Sequence, residues 1–193
     1  MNKRLIIRPS FCIGICISLF VLPLWWVLAW LTAALIHEAG HLLALSLMRV
    51  RIIRFEIGIQ GGCIETGHVS ELAELICALA GPVAGLCCLL LFDIFPLMSV
   101  CALVQSIYNL LPYSEYDGGR GLKILVGRMF GAKTGERICI YTSMATSVLL
   151  VIAGLLFWLV FRLGLAGFLV PVFPVIKRLM IKIPCKQRKQ IVQ

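Results

Sequence analysis

The run Ala33-Ala-Leu-Ile-His37-Glu38-Ala39-Gly40-His41-Leu-Leu-Ala sets two imidazoles and a carboxylate inside an otherwise apolar stretch. Positions four apart on a helix are separated by about 40° around its axis, so His37 and His41 share a face and can grip one metal ion. Glu38 projects about 100° away from His37, within reach of a water at the metal and outside the ligand set. This HExxH spacing is the one zinc peptidases use, with the glutamate as general base. The bland alternative is a chance match. Against it, His37 and His41 are two of the three histidines in the chain, and ionisable groups at membrane depth are costly and usually functional.

A catalytic zinc site takes a third protein ligand and leaves its fourth position to water. His68, Glu71 and Glu74 follow at the mouth of the next apolar run, and a downstream glutamate is a known third ligand in zinc proteases. Asp117 is the other candidate, in Asn109-Leu-Leu-Pro-Tyr-Ser-Glu-Tyr-Asp117-Gly-Gly-Arg. There Pro112 stops a helix, and the two glycines are expected to give positive-φ backbone around the carboxylate. Asp-Gly-Gly by itself is an ordinary turn signal, so residue types and spacing leave both alternatives open.

The elements that must position these groups cross a membrane. Of the 193 residues, 61% are apolar and 14% charged, and the mean hydropathy is +1.00; a soluble domain carries roughly 45–50% and about 25%. A soluble globule is excluded, because too little polar surface exists to wrap one. With about 20 residues per crossing, the composition specifies an all-α polytopic membrane protein of about six transmembrane helices and no sizeable extramembrane domain. The predicted spans are 5–22, 24–48, 72–92, 94–111, 138–161 and 163–181, with a polar, glycine-rich interval over 112–137. Pro23 divides the first two spans and places Trp25 and Trp26 at the interfacial turn. The first span follows Lys3, Arg4 and Arg8 as a signal sequence would, but Val21-Leu-Pro-Leu-Trp-Trp offers no small-residue cleavage site, so it is expected to stay attached.

With the N-terminus inside, every lysine and arginine except Arg162 falls on the cytoplasmic side, as the positive-inside rule requires. Both termini are therefore predicted to be cytoplasmic. The net charge of +9 is read as topology plus contact with anionic lipid at the cytoplasmic face. No nucleic-acid partner is expected, since no aromatic-rich basic domain accompanies the charge. His41 and His37 stand eight and twelve residues before Arg49, which puts the metal about 12 to 18 Å from the cytoplasmic end of the second span. The nine cysteines, odd in number and without a metal-spaced CxxC, are read as small buried apolar residues.

Between the second and third spans, Val50-Arg-Ile-Ile-Arg-Phe-Glu-Ile-Gly-Ile-Gln-Gly-Gly-Cys-Ile-Glu-Thr-Gly is isoleucine-rich, partly alternating and punctuated by Gly61-Gly62. The pattern predicts a small membrane-associated β-hairpin. An interfacial loop tied to lipid by Arg49, Arg51 and Arg54 is the alternative.

HExxH inside one span, paired with Asn109-x-x-Pro-x-x-x-x-Asp117-Gly at the end of a later one, resembles the site-2 protease family of intramembrane zinc metalloproteases. The resemblance extends over Ala80-Gly81-Pro82 and the interval from Gly58 to Gly67, and so runs from Leu24 to Arg120. It implies Zn2+ held by His37, His41 and Asp117, Glu38 as the catalytic general base, and Asn109 near the substrate. It further suggests that the hairpin edge, with Gly61 and Gly62, pairs with an unwound substrate strand.

Within the family the chain is most similar to the sporulation stage-four proteases that process a sigma-factor precursor. It differs from many relatives in having Tyr116 before the aspartate and Glu115 beside it. Neither a PDZ domain nor a nucleotide-sensing regulatory domain is expected; residues 1–193 are read as a single integral membrane protease domain with its core over 24–120. The activity implied is hydrolysis of a peptide bond within or next to a transmembrane segment of a membrane-bound protein, such as a sigma-factor precursor or an anti-sigma factor. The resemblance places it at the cell membrane, with an inhibitory membrane partner as a further expectation. A zinc peptidase using Glu71 or Glu74 as third ligand, and a non-catalytic membrane scaffold or metal-binding protein, are the rival readings.

Overall fold

Two prolines set the course of the N-terminal chain. Pro9 lacks a backbone N–H and holds the residue before it extended, so helix α1 (Pro9–Val21) starts there and Arg8 stays in the β region. Pro23 separates α1 from α2 (Leu24–Leu47). The computed structural model describes residues 4–58, 61–161 and 172–176. The chain divides into two compact units, one running to Asn109 and the other beginning at Leu110.

The first unit contains a three-stranded sheet of order β1-β2-β3, formed by β1 (Arg4–Ile7), β2 (Ile52–Gly58) and β3 (Gly61–Thr66). The hairpin expected from the sequence is present as β2 and β3, antiparallel, with Ile57 opposite Gly62 and Gly58 opposite Gly61. The parallel strand β1 was not expected, and it corrects the predicted first span. Residues 4–7 pair with residues 54–57 instead of extending a helix, and α1 has 13 residues, about 20 Å against a hydrocarbon core of about 30 Å. Arg8 secures the junction: its backbone N–H donates to Ile57 O at 2.8 Å, and its Nε donates to the buried Glu56 carboxylate at 2.8 Å.

Helix α2 buries Val27, Ala33, His37, Gly40, His41, Ala44 and Leu45, a stripe at helical spacing. The stripe faces α3 (Glu71–Cys87) and α4 (Pro96–Asn109). Its small residues allow close approach of the kind that membrane helices use; a Cβ on Gly40 would stand 2.6 Å from Ala80 O and 2.7 Å from the Ala84 methyl. Ala33, Cys88, Cys101 and Ala102 form the core cluster. Arg49, at φ 53, closes α2: the Arg49 N–H reaches Ser46 O and the Val50 N–H reaches Leu45 O, the Schellman arrangement that turns the chain into β2.

The third span is matched by α3 continued as a 3-10 turn over Cys88–Leu91. The fourth is shorter than predicted: α4 has 14 residues, starting at Pro96, which cannot continue a preceding helix, and ending at Asn109.

In the second unit, α5 (Asp117–Phe130) occupies part of the interval read as polar and glycine-rich, and α6 (Ala132–Phe161) begins six residues before the predicted fifth span. Gly131, at φ 92, makes the turn between them. The early start of α6 takes in Lys133, Glu136 and Arg137, charged residues with good helix propensity. The predicted sixth span, 163–181, lies outside the described residues apart from a helical stretch at 172–176.

Among the described residues, three helical stretches are long and apolar enough to cross a membrane: Leu24–Leu47, Glu71–Leu91 and Ala132–Val160. The described residues are mostly helical with one small sheet. Cys77, Cys88, Cys101 and Cys139 are buried as expected, but Cys12, Cys16 and Cys87 are exposed on their helices. Lipid tails are as apolar as a protein core, so an exposed position on a helix in lipid also accepts an apolar side chain.

Candidate metal centre

His37 and His41 lie one turn apart on the buried face of α2. Their Nε2 atoms are 3.2 Å apart and the rings meet edge to face with centroids at 4.8 Å. Two nitrogens bound at about 2.0–2.1 Å to one tetrahedral zinc stand about 3.3 Å apart, so the pair fits such an ion. The Cys77 carbonyl of α3 lies 2.7 Å from His41 Nδ1. Donation from Nδ1–H to that carbonyl leaves the Nε2 lone pair for a metal, the usual orientation of a ligating imidazole by a backbone acceptor. Gly81, one turn further along α3, has no side chain where the ring sits: a Cβ there would be 2.3 Å from His41 Nε2.

Glu38, partly buried beside this pair, accepts a hydrogen bond from the Gly62 backbone N–H at 2.9 Å to Oε1. A Cβ on Gly62 would fall 2.4 Å from Glu38 Oε2, so glycine leaves the room in which the carboxylate lies against the strand. Gly61 supplies the hairpin conformation at φ 112. Asn109, the last residue of α4, brings its Nδ2 to 3.2 Å from His37 Nε2. Glu38, Gly62, Asn109 and both histidines are therefore gathered in the first unit by α2, β3 and α4.

Asp117 belongs to the second unit, where it is buried and opens α5. The expected positive-φ turn is not what the glycines provide. Gly118 and Gly119 are helical, and their value is space: a Cβ would lie 2.0 Å from Leu110 O on Gly118 and 1.9 Å from Tyr113 O on Gly119. The 110–116 turn is folded tightly over the start of α5, and α6 holds it there. The Ser143 hydroxyl is 2.6 Å from Pro112 O, Tyr113 and Ser147 share a hydroxyl–hydroxyl bond of 3.0 Å, and Cys139 Sγ is 3.6 Å from Gly119 O. Arg120 NH1 approaches Asp117 Oδ1 to 3.7 Å.

Among the other ligand candidates, His68 and Glu71 are exposed and Glu74 is partly buried. Glu71 and Glu74 occupy the first turn of α3, where carboxylates favour the helix dipole. Among the described residues of the first unit, none of the three joins His37 and His41 in a metal-ligating group. The roles of Cys77 and Gly81 escaped the sequence reading. Ala80-Gly81-Pro82 stood out there, but nothing in the string says which ring its glycine must admit.

No family model matches the chain, and no curated protein matches it. Among solved structures, the chain is similar to the site-2 protease from Methanocaldococcus jannaschii, at 19% identity and a TM-score of 0.62, over 98% of this chain and 92% of that one. The likeness is one of fold.

Proposed function

We propose that the chain is an intramembrane zinc metalloprotease of the site-2 type, cleaving a peptide bond within or next to a transmembrane segment of a membrane-bound protein. The observation that carries this reading is the pair of buried imidazoles with Nε2 atoms 3.2 Å apart, set beside a glutamate in a fold similar to that of a site-2 protease. His37 and His41 would hold Zn2+. Asp117 is proposed as the third ligand, supported by its burial, by the close packing that fixes the start of α5, and by the absence of Glu71 and Glu74 from the histidine group.

Zinc bound there would acidify a water and polarise the substrate carbonyl. The protein's own groups do the rest. Glu38 takes the proton of the attacking water and returns it to the leaving amide nitrogen. The Cys77 carbonyl keeps His41 in one tautomer, and Asn109 lies where a substrate carbonyl or amide would pass. A transmembrane helix shields its peptide bonds with its own hydrogen bonds, so the substrate must be unwound; the β3 edge, with Gly61 and Gly62, offers an extended strand new partners.

The count of six crossings is not carried over, because α1 has only 13 residues. A multi-pass topology with cytoplasmic termini, one protease domain built from the two compact units, the anionic-lipid contact and an inhibitory membrane partner belong to the same reading. So does kinship with the sporulation sigma-factor-processing members, which rests on Asn109-Leu-Leu-Pro preceding Asp117-Gly-Gly and on the hairpin after the second span. Co-expression with candidate membrane-bound sigma-factor precursors and anti-sigma factors tests it. A cleavage product should form with the wild type and vanish with Glu38→Gln; a product that persists in the variant removes the protease assignment.

A further inference from the structure

Strand β3 is one of the two edge strands of the sheet, and among the described residues no strand other than β2 pairs with it. An open edge of this kind is a row of backbone donors and acceptors awaiting a partner. At Gly62 the donor is already engaged. Its N–H points to Glu38 Oε1 at 2.9 Å, although Gly62 also sits opposite Ile57 in the β2–β3 register. A backbone N–H makes one strong hydrogen bond, so the bond to Glu38 uses the donor that a strand added to β3 would need at this position. The fit is close, since a Cβ at position 62 would meet the carboxylate where it now rests. The same carboxylate is the one that must act on water at the histidine pair.

We propose that Glu38 is the resting cap of the β3 edge, and that an arriving substrate strand takes the Gly62 N–H and so frees the carboxylate for its work as base. Gly62 is then a positioning residue whose amide couples strand docking to release of the base. In the absence of a strand the base is held by the hairpin, which restrains idle chemistry at the centre. The proposal rests on the protease reading given above, but its contact can be tested without turnover.

The test compares the full-length wild type, Glu38→Ala and Glu38→Gln, each in lipid nanodiscs. Both substitutions abolish the base, but glutamine keeps an oxygen able to accept from Gly62 and alanine does not. Amide hydrogen exchange at Gly62 should be at least about tenfold faster in Glu38→Ala than in the wild type, with Glu38→Gln close to the wild type. An uncharged hexapeptide of alternating valine and threonine should bind Glu38→Ala about threefold to tenfold more tightly than either of the others, the gain expected when one competing hydrogen bond is removed. Equal Gly62 exchange in all three proteins, or a peptide affinity that fails to rise in Glu38→Ala, overturns the proposal. Loss of turnover is read separately in the co-expression assay: a wild type that cleaves while Gly62 exchange ignores Glu38 sinks the cap alone, and a wild type that never cleaves sinks the protease reading.

Discussion

Gly81 of α3 lies directly against the imidazole of His41, so that a methyl group built on its Cα would stand 2.3 Å from Nε2 and 2.5 Å from Cε1. The ring has little freedom to retreat, because the Cys77 carbonyl holds its other nitrogen at 2.7 Å. One helix therefore both aims the ring and leaves room for it. Gly81→Ala should force His41 out of line and lower zinc affinity by about 10- to 100-fold, the range seen when groups that orient a ligand are disturbed. Equilibrium dialysis against a zinc buffer measures this, with circular dichroism confirming that helix content is kept.

The N-terminal strand gives a second expectation. Glu56 is buried between Arg8 and Arg54, and the Arg8 bond ties the start of α1 to β2. Both arginines are substantially exposed, so water screens the pairs and their contribution is about 1 kcal/mol or less each. Glu56→Gln should leave the helices folded but loosen β1. Faster amide exchange at residues 6 and 7, with unchanged exchange in α2, is the expected result.

The HExxH geometry was legible in the sequence because it depends on helical spacing alone: residues 37, 38 and 41 needed only a helix, and α2 begins and ends within a residue of the predicted span. The hairpin was legible for a similar reason, since alternation and paired glycines are local signals. Strand β1 was not. Leu5, Ile6 and Ile7 are apolar in either conformation, and what makes them a strand is the unpaired edge of β2, fifty residues away in sequence. Helix α5 was hidden by Gly118, Gly119 and Gly121, whose low helix propensity is outweighed by packing against the 110–116 turn, which no local pattern reveals.

That turn supplies a third prediction. The Ser143 hydroxyl sits 2.6 Å from both Pro112 O and Cys139 O, fastening the turn to α6 at a buried position. Ser143→Ala leaves the Pro112 carbonyl without this donor and should destabilise the fold by about 1 kcal/mol. Tyr113→Phe, which removes the 3.0 Å bond to Ser147 but keeps the buried ring, should cost a similar amount or less. Thermal unfolding in one detergent, compared across the two variants and the wild type, reads both effects; a Tm unchanged in Ser143→Ala would show that the turn is held by its glycine packing alone.

The choice of third ligand is decided by metal content. If Asp117 completes the centre, Asp117→Asn removes the anionic oxygen that balances the ion, and purified protein should no longer carry stoichiometric zinc. Glu71 and Glu74 stand in the first turn of α3, where their contribution is to the helix terminus, worth about 0.3–1 kcal/mol. Glu71→Gln and Glu74→Gln should therefore keep their zinc and lose at most a little stability. Elemental analysis of the three variants beside the wild type separates the readings. Zinc retained by Asp117→Asn and lost from either glutamine variant would move the third ligand to α3, and with it the direction from which the substrate carbonyl must approach the histidine pair.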